Sequence, residues 1–209
     1  MKEWFAGCGF SPADILLPRK CDMTKWSVVA CDQYTSQPEY WREAENFVGD
    51  APSTLRLMLP EAYLGSSGET ERIGDIRRAM ADYLARGVFR KLGDSLVFVE
   101  RTLPGGRVRR GLVGALDLKD YDFRPGAGTL VRATEGTVLA RIPPRMKVRQ
   151  GAPLEMPHVM VLLDDPEDAV IGSAARLAEN RPLYDFDLMQ GSGHLRGRRV
   201  SGETLLPVA

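Results

Sequence analysis

ERIGDIRRAMADYLARGVFRKLGDSLVFVERTLPGGRVRRGLVGAL, residues 71–116, decides the fold class of this chain. Its first part sets Ile73, Ile76, Ala79, Met80, Tyr83 and Leu84 at three- and four-residue spacing, with Gly87 where an amphipathic helix commonly ends, so a helix is expected over 71–89. The period then changes. Residues 96–102 and 108–116 are β-rich runs, and Pro104-Gly105-Gly106 between them reads as a hairpin turn. A helix followed at once by a hairpin calls for a sheet with helices packed against it.

Outward from that stretch, apolar runs predict strands at 26–31, 54–59, 130–133, 158–163 and 183–188, and helices at 38–48 and 166–179. Gly191-Ser192-Gly193 reads as a second hairpin, and residues 125–128 as a loop. Strands and helices interleave irregularly. The expectation is therefore an α/β (or α+β) fold, a mixed sheet with interleaved helices in a single domain over 1–209, rather than a doubly wound one.

At 209 residues the chain can bury a core without cross-links, and its three cysteines, Cys8, Cys21 and Cys31, suggest neither a disulfide framework nor a zinc knuckle. A reducing, cytoplasmic setting is expected. No apolar run approaches a membrane span, so no membrane partner is expected. Twenty-eight basic side chains balance 28 acidic ones, which removes any general pull toward nucleic acid. Any anion site must be local.

One place meets that condition. From Arg124 to Arg149 five arginines and one lysine face the single acid Glu135, whereas 150–175 has no basic residue but carries Glu155, Asp164, Asp165, Glu167 and Asp168. Within the basic part, a short strand stops at Thr134-Glu135-Gly136-Thr137, and a helix starts near Val138 before Pro143-Pro144 breaks or restarts it. A Thr/Gly turn at a helix start exposes backbone N–H groups that bind phosphate or carboxylate. Arg141, Arg145 and Arg149 recur every fourth residue and would share one face of a continuing helix. Guanidinium groups grip such anions in bidentate fashion. The competing account makes these arginines a solvated face paired with the acidic segment downstream.

Residues 31–37, Cys-Asp-Gln-Tyr-Thr-Ser-Gln, lie between an apolar run and a helix, where α/β proteins place ligand-contacting loops. Asp32 is suited to orienting a hydroxyl or metal and Tyr34 to donating a hydrogen bond, whereas Ser36 reads as a helix cap. His158 opens the run Val159-Met160-Val161-Leu162-Leu163, which ends at Asp164-Asp165, a pair suited to magnesium unless Asp165 serves as an N-cap before Pro166. His194 reads as part of an exposed hairpin. Neither a dinucleotide fingerprint, a P-loop nor a Gly-x-Ser-x-Gly elbow occurs.

The words CDQYTSQ (31–37), PSTL (52–55), RATEGTV (132–138), RIPPR (141–145) and PHVM (157–160) resemble the bacterial domain-of-unknown-function 1015 family over most of the chain. The resemblance implies a distant similarity to the ParB, sulfiredoxin and free-serine-kinase superfamily, and with it phosphoryl chemistry on serine or phosphoserine using ATP or ADP with Mg2+. On that basis a small anionic metabolite is the expected partner. Arg132, Arg141 and Arg145 would neutralise its phosphate, with Thr134, Gly136, Thr137 and Tyr34 around it. Glu135, Asp32 and His158 are the candidate catalytic residues, and Asp164 the candidate metal ligand. Family members are much longer and carry an Asp-Gly-His-His or Asp-Gly-Asn-His word that is absent here. The chain thus reads as an N-terminal portion, with a partner chain as the expected source of the missing segment. Two other readings stay open: a non-catalytic ligand-sensing or scaffolding module, and a ParB-like nucleic-acid role, against which the zero net charge argues.

Overall fold

The computed structural model describes residues 9–30, 37–119, 121–124, 126–134, 136, 138–156 and 158–201. The hairpin foreseen around Pro104 is present, and its first strand organises the molecule. Strand β3 (Phe89–Thr102) carries two partners end to end along one edge. These are β2 (Ala13–Pro18), antiparallel along 89–95, and β4 (Val108–Val113), antiparallel along 97–102. Its other edge holds β9 (His194–Ser201), which pairs with β8 (Pro182–Asp187), and all these pairings are antiparallel. Beyond the sheet, β1 (Phe10–Ser11) pairs with β5 (Ala115–Leu116), and β6 (Tyr121–Asp122) runs parallel to β7 (Val131–Arg132). Helices α1 (Met23–Trp26), α2 (Pro38–Val48), α3 (Glu69–Ala85), α4 (Ile142–Arg149) and α5 (Ala169–Leu177) interleave with these strands, giving an α/β domain.

Glycine decides two close approaches. Gly114 separates β4 from β5, and a Cβ there would lie 2.6 Å from Phe10 Cζ and 2.7 Å from both Leu96 Cδ2 and Ser11 O, so only hydrogen fits. On β9, a Cβ at Gly197 would overlap the Tyr184 ring of the neighbouring strand. The ring fills the space the glycine leaves, and its burial pushes the phenol pKa up to about 12.

Each face of the sheet has its own core. Leu96, Phe98 and Val200 meet Ala174 of α5 and Ala178, together with Phe10 and Leu112. On the other side Leu17, Leu92 and Val97 pack with Val99, Val113, Leu183 and Tyr184. Helix α2 buries Tyr40, Trp41, Ala44 and Val48 in a cluster with Leu55 and Met189, against which Phe186 and Leu195 pack. The stripe on α3 is core except at Leu84, which is exposed: Ile73, Ile76, Met80 and Tyr83 pack with Trp26, Leu57, Val88 and Val148.

Three expected strands are not strands. Residues 54–57 form a 3-10 turn, and Trp26 ends α1. In both stretches alternate apolar residues enter different cores: Leu55 and Val28 pack in the α2 cluster, and Leu57 and Trp26 in the α3 cluster. A turn wedged between two cores thus imitates the period of a half-buried strand. Residues 158–163 are irregular. Near 130–133 only Val131–Arg132 is paired. Conversely, β2 and β9 were not anticipated, because prolines flank one and arginines interrupt the other.

Candidate functional site: a basic ridge on α4

The β6 and β7 pair introduces the basic segment. Arg124 grips Asp122 through Nε at 3.0 and 2.9 Å and Nη2 at 2.5 Å, which holds that carboxyl below its ordinary range. Arg124 is therefore committed. Arg132 closes β7 with its side chain exposed, and Thr134 and Gly136 follow, also exposed. Glu135 and Thr137 lie outside the described residues, as do Asp32 and Tyr34.

A 3-10 turn at Leu139–Arg141 then delivers the chain into α4. Pro143 and Pro144 do not break this helix, because they occupy its first turn, where no backbone N–H is needed. Arg141, at the N-cap, already has helical backbone angles, so Arg141, Arg145 and Arg149 rise along one flank at four-residue intervals. All three are exposed, while Val148 anchors the helix in the α3 cluster and Arg77 of α3 donates to the Lys147 carbonyl. Arg149 Nη2 meets Glu155 Oε1 at 2.8 Å. The same prolines change one detail of the expected chemistry: having no N–H, they cannot help cradle an anion, and the guanidinium groups must do more of the holding.

Lys147 and Arg149 suit the last turn of α4, but its first turn is charged against the helix dipole. There is no acid in its first turn, while Arg141 and Arg145 stand at the end where the helix dipole is positive. Like charges four residues apart add a further few tenths of a kcal/mol of destabilisation per pair. An anion on the ridge would relieve both effects.

Beyond Glu155, two acids of the downstream stretch are engaged away from the ridge. The Asp165 carboxylate accepts from the backbone N–H groups of Ala169 (2.9 Å), Val170 (3.1 Å) and Ile171 (3.0 Å), which holds its pKa below the ordinary value. The N-cap position itself is Asp168 and Pro166 lies in a turn before the helix, so Asp165 is not the expected N-cap but caps the first turn of α5 from three residues further back. Asp168 pairs with Arg110 of β4 at 3.4 Å. Asp164 and His158 are exposed, and among the described residues no three His, Cys, Asp or Glu side chains are grouped to hold a metal ion.

A second polar cluster, not anticipated, lies at the β8 and β9 turn. Cross-strand register puts Asp187 opposite His194 and Asp185 opposite Arg196, all on one face. His194 is held by both ring nitrogens, Nδ1 to Asp187 Oδ1 at 2.8 Å and Nε2 to Asp185 Oδ1 at 2.6 Å. Two carboxylates engaging both nitrogens favour the imidazolium, and these bonds raise the His194 pKa. Arg196 Nε approaches Asp185 Oδ2 at 3.4 Å. A shallow open depression lined by Thr102, Leu103, Leu188, Gly191 and Gly193 adjoins the pair His194 and Asp187. The signal available beforehand was two acids at alternate positions before a Gly-Ser-Gly turn and a His-x-Arg after it. It needed the hairpin register to be read.

Fold and site together define an α/β domain with a cationic ridge on a short surface helix. The chain belongs to the family described as protein of unknown function (DUF1015), whose family model matches residues 13–206. No curated protein and no solved structure matches it. No helix among the described residues is long and apolar enough to cross a membrane.

Proposed function

We propose that Arg141 and Arg145 of the α4 ridge, together with Arg132 of β7, bind a small phosphate-bearing anion, and that the chain is the anion-holding part of a phosphotransfer or phosphatase-type protein acting on serine or phosphoserine. The observation that supports this reading is the grouping of Arg141 and Arg145 along one flank of α4, with no acid in the helix's first turn. Thr134, Gly136, Thr137 and Tyr34 would complete the contacts. Glu135, Asp32 and His158 are the residues to assay for proton transfer. A nucleotide with magnesium is the co-substrate implied by the family resemblance; the ridge suits its phosphates, and the exposed Asp164 carboxylate would supply one magnesium contact.

The alternative of a scaffolding module has some support in the Arg149 to Glu155 and Arg110 to Asp168 ion pairs, both made between exposed partners worth little to stability. Titration of the protein with inorganic phosphate, O-phosphoserine and ATP, each with and without Mg2+, separates the two by chemical-shift and thermal-shift changes. On the binding reading at least one ligand perturbs the protein at millimolar concentration. Arg141→Gln and Arg145→Gln each weaken that ligand by about three- to tenfold while leaving the melting temperature of the free protein near its original value. Silence toward all three ligands, or equal affinity in the double variant, removes the proposal.

A further inference from the structure

From His158 to Asp165 the chain runs without a bend, turn or helical step. Five consecutive apolar side chains in this run, Val159, Met160, Val161, Leu162 and Leu163, are between 57% and 80% exposed. No backbone hydrogen bond joins 158–164 to another described residue. The run is nevertheless tethered at both ends. Leu154 and Met156 pack against the α3 cluster, and Asp165 is tied by its carboxylate to the start of α5. An apolar run of strand-forming residues, free of bends and turns and with no described backbone partner, is suited to take another strand.

We propose that this segment pairs with the same segment of a second copy of the chain, antiparallel and centred on Val161, to form a two-fold symmetric dimer. The sequence suits that register. Val159 falls opposite Leu163, Met160 opposite Leu162, and Val161 opposite itself, while His158 meets the acid at position 164 of the other copy at both ends. A parallel pairing in register would instead set the two Asp164 carboxylates side by side, as well as the two His158 rings. The complementarity of histidine and aspartate therefore selects the antiparallel arrangement and an isologous interface.

Size sets the strength. A five-residue apolar run is comparable with the ~300–600 Å² of the largest apolar patch on an ordinary monomer and smaller than the ~800 Å² per partner of a standard interface. The dimer is accordingly weak and reversible, with a Kd on the order of 10 μM.

Sedimentation velocity on the full chain, from about 1 to about 500 μM, reads the equilibrium directly. The expected result is a monomer at the low end and a dimer at the high end. Val161→Lys, which sets two ammonium groups together on the axis, should leave a monomer throughout with an unchanged circular dichroism spectrum. His158→Asp should weaken the dimer about three- to tenfold, and adding Asp164→Lys should restore it, which a loss of folding would not do. Under oxidation Val161→Cys should cross-link copies far more readily than Val159→Cys, since position 159 faces 163 rather than itself. A monomer at every concentration overturns the proposal, as does a dimer that survives Val161→Lys or equal cross-linking from the two cysteine variants.

Discussion

Tyr83→Phe isolates one buried hydrogen bond on which the placement of α3 depends. Tyr83 is 4% exposed, its ring packs beside Trp26 at 6.0 Å between centroids, and its hydroxyl accepts the Ser53 N–H at 3.0 Å. Ser53 is wholly buried, with its own hydroxyl accepting from Leu55 N at 3.2 Å and donating to the Trp26 carbonyl at 3.4 Å. Phenylalanine keeps the ring and its packing and removes only the acceptor. The Ser53 N–H is then buried without a partner, at a cost of about 1–3 kcal/mol. In a domain of this size each kcal/mol moves the melting temperature by about 2–4 °C, so a drop of about 2–12 °C is expected. Urea denaturation provides the measurement, with the midpoint lowered and the slope unchanged. Tyr83→Leu, which also loses aromatic packing, should fall further. A Tyr83→Phe protein within about 0.5 kcal/mol of the parent would show that the Ser53 N–H finds another acceptor, and that this bond does not fasten the 53–57 turn to α3.

Two other perturbations probe the sheet and its polar corner. Gly114→Ala should destabilise by about 1–3 kcal/mol or more in thermal unfolding, because the Ser11 carbonyl that the new methyl meets is backbone and cannot swing aside; Gly111→Ala, with open space around it, should be near neutral. His194, facing Asp185, Asp187, Arg196 and Thr102, has a folded-state pKa raised above its ordinary 6.5, so its stabilising contribution is complete below that pH and disappears as pH rises through the folded value. The melting-temperature gap between the parent and His194→Gln should be widest near pH 6 and close on the alkaline side, and a gap that does not vary with pH would refute the imidazolium assignment.

The helical geometry of the candidate site was legible locally. The four-residue recurrence of arginine from 141 to 149 became a real helical flank, because a period of 3.6 needs only the segment's own hydrogen bonds, and Pro143-Pro144 proved compatible once placed in the first turn. A capping role for Asp165 was legible, but its position was not: the helix starts after Asp168, three residues beyond the expected N-cap. The pairing of Asp185 and Asp187 with His194 was not, since it depends on which residue of β9 falls opposite which residue of β8.

By itself the sequence determined the helices with strong apolar stripes, the two turns rich in glycine, the family and the segregation of charge into a basic and an acidic stretch. These are properties of neighbours along the chain. Only the tertiary structure decided that β3 would be shared by three strands, that 54–57 and 26–29 would serve two cores rather than a sheet, and that the acids at 165 and 168 would turn to α5 and Arg110 instead of the ridge. A strand's identity rests on the hydrogen bonds of a partner distant in sequence. The run at 159–163 shows this most plainly, with the side chains of a strand and no described partner strand.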